Sequence, residues 1–201
     1  MKILWIGGWA IPPSFVLARA KEYFPEIKHE VLSPTKNAWA EEGFDWVVGH
    51  SLGAFLLLRW PERFPTKRGM ALLAPFLDFT REAELGGHMS RTQLKVTVRS
   101  LRKDPLAAVN DFLERADLGL FADALPYPVE DLAWGLEVLQ SETVSEADVA
   151  NLNHRVVLGH RDPLLHANRI AESFPKATIL PEGGHRFEDL LAGLHFPATG
   201  E

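Results

Sequence analysis

The chain has 201 residues, 46% of them hydrophobic, a formal net charge of −6 and no cysteine. That is the length of one domain with a substantial core. The negative balance excludes a general nucleic-acid binder, and the lack of thiols excludes disulfides and cysteine-based zinc sites.

Residues 2–6 read as a short buried strand. Its apolar run, Ile3-Leu4-Trp5-Ile6, is too short for a signal-peptide core. The strand stops at Gly7-Gly8-Trp9. Pro12-Pro13 then block further strand pairing and allow a helix over 14–24. Val16, Ala20, Tyr23 and Phe24 share one face of it, and Pro25 ends it. A second strand over 29–32, a helical piece over 38–43 and a third strand over 45–48 follow. An apolar helix then runs to about Trp60. Residues 69–74, all apolar but for one glycine, form the next strand. Their lack of alternation suits a sheet covered on both faces.

The rhythm changes over 78–153, where the periodicity is helical and no strand is apparent. It resumes with a strand at 155–159, a helix at 165–174, a strand at 177–180, a Gly-Gly-His loop and a last helix at 187–194. Alternating strand and helix implies α/β architecture with about six mostly parallel strands, helices on both faces and a helical insertion after the fourth strand. The tail beyond Pro197 is expected to fray. No apolar run approaches the roughly 20 residues of a membrane span, so a cytoplasmic protein without a membrane partner is expected.

The chemistry concentrates at Gly49-His50-Ser51-Leu52-Gly53, with a strand before it and a helix after it. In that context G-x-S-x-G is a nucleophile elbow. Glycines on either side let strand and helix approach closely, and Ser51 is left at the tip, at a helix N-terminus that favours negative charge. A serine hydroxyl needs a base, and the base needs an orienting group. Both should follow later strands in the order Ser, Asp or Glu, His. Gly159-His160-Arg161-Asp162 supplies the acid, and Glu182-Gly183-Gly184-His185 supplies the base. The predicted catalytic residues are therefore Ser51, Asp162 and His185. Asp45 precedes its strand and lies at the wrong end of the sheet. His50 belongs to the elbow and is expected to point away from the nucleophile. His160 and His166 flank the acid loop, either lining the pocket or sitting on solvated loops; His29, His154 and His195 are read as structural. No metal-ligand spacing is present, so no metal or cofactor is expected. The oxyanion hole needs two preorganised N–H donors. One falls to Leu52, after the nucleophile. The other falls to Trp9, in the loop after the first strand, whose indole would wall the acyl pocket.

Gly-x-Ser-x-Gly, Gly-Gly-Trp, Gly-x-x-Asp and Gly-Gly-His resemble the α/β-hydrolase superfamily, and Gly8-Trp9 directly after the first strand is similar to the biotin-pathway carboxylesterases within it. Pro61-Glu62-Arg63, Ala124-Leu125-Pro126-Tyr127-Pro128 and Gly135-Leu136-Glu137-Val138-Leu139 are similar to stretches of the biotin-pathway carboxylesterases that hydrolyse pimeloyl-[acyl-carrier protein] methyl ester. The resemblance implies a compact hydrolase core over 1–77 and 154–201 and a helical lid over 78–153. It implies an acyl site lined by Trp9, Leu52, Phe112, Leu113, Arg115 and Ala116. Departures are a glycine pair where the family has His-Gly, a short crossover between second and third strands, and a sheet that opens at the superfamily's third strand. Residues 88–103 carry Arg91, Lys95, Arg99, Arg102 and Lys103 and no acid. On a helix these five fall within about 120° of one another. Leu94, Val98 and Leu101 take another face, suited to packing down over the site. A basic stripe on an acidic protein fits docking of an acidic acyl-carrier protein. The expected protein is a monomeric serine carboxylesterase, or else a broader esterase or thioesterase for small acyl esters, or a non-catalytic binding protein on the same fold.

Overall fold

The computed structural model describes residues 1–41, 43–150 and 152–197. Strand β1 (Lys2–Ile6) is the pivot of the sheet. On one side it pairs with β2 (Lys28–Leu32) and on the other with β3 (Trp46–His50). Beyond β3 come β4 (Gly69–Leu73), β5 (His154–Gly159) and β6 (Thr178–Leu180), all parallel, giving the order β2-β1-β3-β4-β5-β6. The sheet thus contains six strands, every pairing parallel. β3 and β4 are buried at every position, as a sheet covered on both faces requires.

The order reverses between β1 and β3. Right-handed crossovers running in opposite directions from that point place α1 (Pro13–Tyr23) on one face and α2 (Leu52–Arg59) on the other. Open α/β sheets carry their sites in the crevice at such a switch point, beyond the carboxyl ends of the strands. The loop after β1 and the elbow after β3 both open there.

α1 begins with Pro13 in its first turn, where a missing N–H costs nothing. Val16 and Ala20 are buried as their spacing predicts, but Tyr23 is 42% exposed. Phe24, just past the helix, turns in to stack on Trp5 with ring centroids 6.1 Å apart. α2 is buried from Leu52 to Leu58, the signature of a central helix with no solvent face.

One expected element does not form. Among the described residues of 38–43 the backbone is not helical. Ala38 and Ala40 are buried while Trp39 between them is 61% exposed, a period of two. The Ala40 N–H is taken by the Arg63 carbonyl at 3.0 Å, which ties the extended segment to residues 23 positions away. Gly43 at φ +123° completes the departure, and Glu42 lies outside the described residues. The last helix is also shorter than expected, Phe187–Leu191, because the chain turns at Gly193. The tail beyond Pro197 lies outside the described residues.

Between β4 and β5 the chain runs through α3 (Arg91–Lys103), α4 (Pro105–Arg115), α5 (Val129–Ser141) and α6 (Glu146–Ala150), with no strand among the described residues. Ser90 and Gln93 form a reciprocal capping box at the start of α3. Asp104 closes α3 and caps α4, accepting the Ala107 N–H at 3.1 Å. The buried Asp78 ties the base of the insertion together: one oxygen accepts from the Thr80 N–H and hydroxyl, and the other from the Thr143 hydroxyl at 2.6 Å. Beside it the Val144 N–H bonds the Leu77 carbonyl. α3 packs on α4 and α5 through Leu94, Thr97 and Leu101. The helix set directly on the crevice is α5, not α3 as the stripe pattern suggested. A β-carbon on Gly135 would lie 2.8 Å from the Trp9 indole and 3.0 Å from the Leu52 side chain. α7 (Ala167–Ser173) and α8 (Phe187–Leu191) complete the fold.

Candidate active site

Ser51 has φ +52° and ψ −115°, a backbone region that costs a non-glycine residue roughly 1–3 kcal/mol. The surroundings impose it. A β-carbon on Gly49 would meet the α2 backbone at Ala54 at 2.6 Å, and one on Gly53 would collide with the Ile6 carbonyl. Helix α2 is therefore pressed against both β3 and the end of β1, and the turn joining β3 to α2 has no room to relax. Seven buried residues of α2 hold it in place.

The three residues chosen from the sequence meet. The Ser51 hydroxyl lies 2.9 Å from His185 Nε2. His185 Nδ1 lies 2.6 Å from Asp162 Oδ2. All three side chains are buried. The other carboxylate oxygen, Oδ1, accepts the N–H groups of Leu164 and Leu165 at 2.8 and 3.0 Å, which fixes the acid's rotamer. Gly159 is where the acid and histidine loops cross, because a β-carbon there would collide with the Gly183 and Gly184 carbonyls. Asp189 Oδ2 accepts the Gly184 N–H, anchoring the histidine loop to α8. Chemically, a hydroxyl held against an imidazole can lose its proton to it. A carboxylate on the opposite nitrogen fixes the tautomer and stabilises the resulting cation.

Neither the Trp9 nor the Leu52 main-chain N–H has a hydrogen-bond partner among the described residues. Gly8 brings the first of these close, since a β-carbon there would lie 3.3 Å from the Ser51 β-carbon. The Trp9 side chain is 2% exposed and held from above. Its indole N–H donates to the Leu132 carbonyl of α5 at 2.8 Å, and its ring meets Phe112 edge-on at 4.7 Å.

The remaining predicted site residues divide. Phe112 reaches Trp9, whereas Leu113 and Ala116 are buried in the helical insertion. Arg115 lies on the solvent side of α4, paired with Asp111 and 3.5 Å from the Thr97 hydroxyl, and is not brought to Ser51. Arg91, Lys95, Arg99, Arg102 and Lys103 are all exposed, and none has an ion-pair partner among the described residues. His166 is exposed and caps α7 by accepting the Arg169 N–H. His160 is exposed too. His29 bridges the Trp5 indole and the Phe24 carbonyl, a structural post. Among the described residues no cluster of three His, Asp or Glu side chains could hold a metal. No helix there is long and apolar enough to cross a membrane.

Two residues at the site escaped the sequence reading. His50 packs against the base: its ring lies 5.2 Å from that of His185, and its Nε2 is 2.9 Å from the His185 carbonyl. Burial above all, and then the nearby His185 charge, pull its pKa down to about 3, so it is neutral. Tyr127 accepts the Ala10 N–H on its phenolic oxygen at 2.7 Å. Burial raises that phenol's pKa, so it too is neutral. His50 sits in the motif itself, but no sequence pattern signals a partner more than a hundred residues away.

Comparison with known proteins bears on the fold and the family. No curated protein matches the chain. Among solved structures, an esterase (EaEST) from Exiguobacterium antarcticum matches with a TM-score of 0.66 at 13% identity, over 92% of this chain and 85% of that one. A thermophilic esterase from Thermogutta terrifontis matches at 0.65 and 13%, over 96% and 85%. BioG from Haemophilus influenzae matches at 0.61 and 16%, over 94% of both chains. At these identities the likeness is one of fold. The profile of the Alpha/beta hydrolase family matches residues 8–192, nearly the whole length, and the chain belongs to that family.

Proposed function

We propose that this hydrolase is a serine carboxylesterase. Ser51 Oγ attacks the ester carbonyl and passes its proton to His185 Nε2. Asp162 holds the tautomer and stabilises the imidazolium. The N–H groups of Trp9 and Leu52 receive the oxyanion, the alcohol leaves with the proton from His185, and water then hydrolyses the acyl-enzyme. The observation that carries this reading is the Ser51–His185–Asp162 hydrogen-bond chain at a strained elbow. The helical segment 78–153 acts as a lid on the core, and Phe112 forms an apolar wall. The most specific substrate is pimeloyl-[acyl-carrier protein] methyl ester. It is supported by the sequence resemblance and by the unpaired basic stripe on α3, which suits an acidic carrier. The enzyme works as a cytoplasmic monomer.

A second reading, an esterase or thioesterase for small acyl esters without a carrier, is favoured by how tightly α5 sits on Trp9 and Leu52. One set of assays separates them: fluorophosphonate labelling, hydrolysis of short p-nitrophenyl esters, and hydrolysis of the carrier-linked methyl ester. Labelling lost in Ser51→Ala, with the carrier ester preferred, is the expected result. A flat preference for short esters selects the second reading. No labelling at all leaves a non-catalytic binding protein.

A further inference from the structure

The loop after β1 offers two consecutive main-chain N–H groups, and the structure treats them differently. That of Ala10 is consumed by the Tyr127 phenol at 2.7 Å. That of Trp9 has no partner among the described residues. Ala10 also has φ +59°, a left-handed conformation that an alanine adopts only when something holds it there. Tyr127 is 8% exposed and stands in the segment leading into α5. Three residues into that helix, the Leu132 carbonyl takes the Trp9 indole N–H. The helical insertion therefore grips both residues of the loop, one through its main chain and one through its side chain.

We infer that Tyr127 is a positioning residue that holds the loop after β1 so that the Trp9 N–H stays free and aimed at the developing oxyanion. This rests on Trp9 being an oxyanion donor, as proposed above. The donor's direction is set by the peptide plane between Gly8 and Trp9, and the adjoining plane is the one that Tyr127 pins. The phenol is suited to the task because it is neutral at ordinary pH, an acceptor that carries no charge into the site. The arrangement also links catalysis to the insertion. Lifting the 127–132 segment would break both grips and let the loop relax, so the oxyanion hole is complete only while the insertion is seated. Donors of this kind act through preorganisation, and their loss appears in kcat.

Tyr127→Phe keeps the ring and removes the acceptor. With a p-nitrophenyl ester we expect kcat to fall by about tenfold or more and KM to stay within about twofold. The affinity for phenylboronic acid, whose tetrahedral adduct mimics the oxyanion, should fall by a similar factor. The pH profile of kcat should keep its shape, because His185 is untouched. Unchanged kcat and boronate affinity would overturn the inference. So would a raised KM with kcat retained, which would make the phenol part of the acyl site. A second measurement needs no turnover. The Ala10 amide should exchange slowly in the wild type, together with the 127–132 segment, and at least about tenfold faster in Tyr127→Phe. Fast exchange of Ala10 in the wild type would refute the grip itself. A wild type that neither hydrolyses the ester nor binds the boronate would refute the esterase reading instead, and the exchange result would still judge this one.

Discussion

His50 donates from Nε2 to the main-chain carbonyl of His185 at 2.9 Å, across 135 residues of sequence. The acceptor is a carbonyl, so the proton must sit on Nε2. Nδ1 is buried and has no partner, which fits the neutral ring. The residue before the serine thus fixes the backbone of the histidine that faces it. His50→Phe would leave that carbonyl buried and unpaired, at a cost of about 1–3 kcal/mol in stability. Ester hydrolysis should fall by about tenfold in kcat/KM as the imidazole loses its setting. His50→Gln, whose amide can donate from a similar position, should recover most of the loss. Equal activity in the wild type and His50→Phe would show that the bond positions nothing.

The same histidine makes folding sensitive to acid. Its folded pKa of about 3 lies below the ordinary 6.5, so the unfolded chain takes up the proton first. The sign follows: this contribution to stability is fully present above pH 6.5 and is lost as pH falls toward 3. The slope from this one group is at most about 1.4 kcal/mol per pH unit. Denaturant unfolding of wild type and His50→Gln at pH 7, 5.5 and 4.5 would measure it. The wild type should lose stability relative to His50→Gln as the medium is acidified, because only the wild type bears this penalty.

The triad should fail as a unit. Ser51→Ala should lower turnover by 10³-fold or more, leaving what binding and the oxyanion hole supply. Adding His185→Ala should cost little further, since a base without its nucleophile has no proton to take. Losses that multiply in the double variant would separate the two residues chemically. Ser51→Ala should not weaken the fold, because alanine carries the same strained backbone and only a hydroxyl leaves.

Why some of this was legible and some not comes down to the range of the interactions. The elbow is largely local: Gly49 lets β3 and α2 close on each other as its spacing implies, whereas Gly53 meets the end of β1 at Ile6 and Gly7. Asp162 and His185 were legible because each lies in the loop that follows a strand of a parallel sheet, and such loops converge. The 38–43 segment was misread because Ala38 and Ala40 are buried on one side and Ala40 is tied to Arg63, and local propensity does not register packing and a partner 23 positions away. Tyr127 and His50 failed for the same reason over a longer span. Tyr127 resembled part of a family stretch, but nothing in its neighbours indicated that its oxygen would meet Ala10.

The last prediction concerns the outer face of α3. Lys95 and Arg99 lie one turn apart at mid-helix, exposed and without an ion-pair partner among the described residues. Arg91 is less suitable for reversal because its main-chain N–H binds the Glu82 carboxylate, and a glutamate there would set two acids side by side at the start of the helix. Leu94, Thr97 and Leu101 bury the opposite face, so reversing Lys95 and Arg99 to Glu should leave packing intact. If α3 docks an acidic carrier, the double reversal should lower kcat/KM for a carrier-linked ester by about tenfold or more. It should spare a small p-nitrophenyl ester. Rim charges act mostly on association rate and its salt dependence. Raising salt from roughly 50 to 500 mM brings the screening length below about 5 Å, which should erase much of the wild-type advantage on the carrier substrate. The acyl-transfer step, buried beneath α5, should respond far less. Equal losses on both substrates would mean that the helix had been destabilised. No loss on either would make the stripe a solvated face.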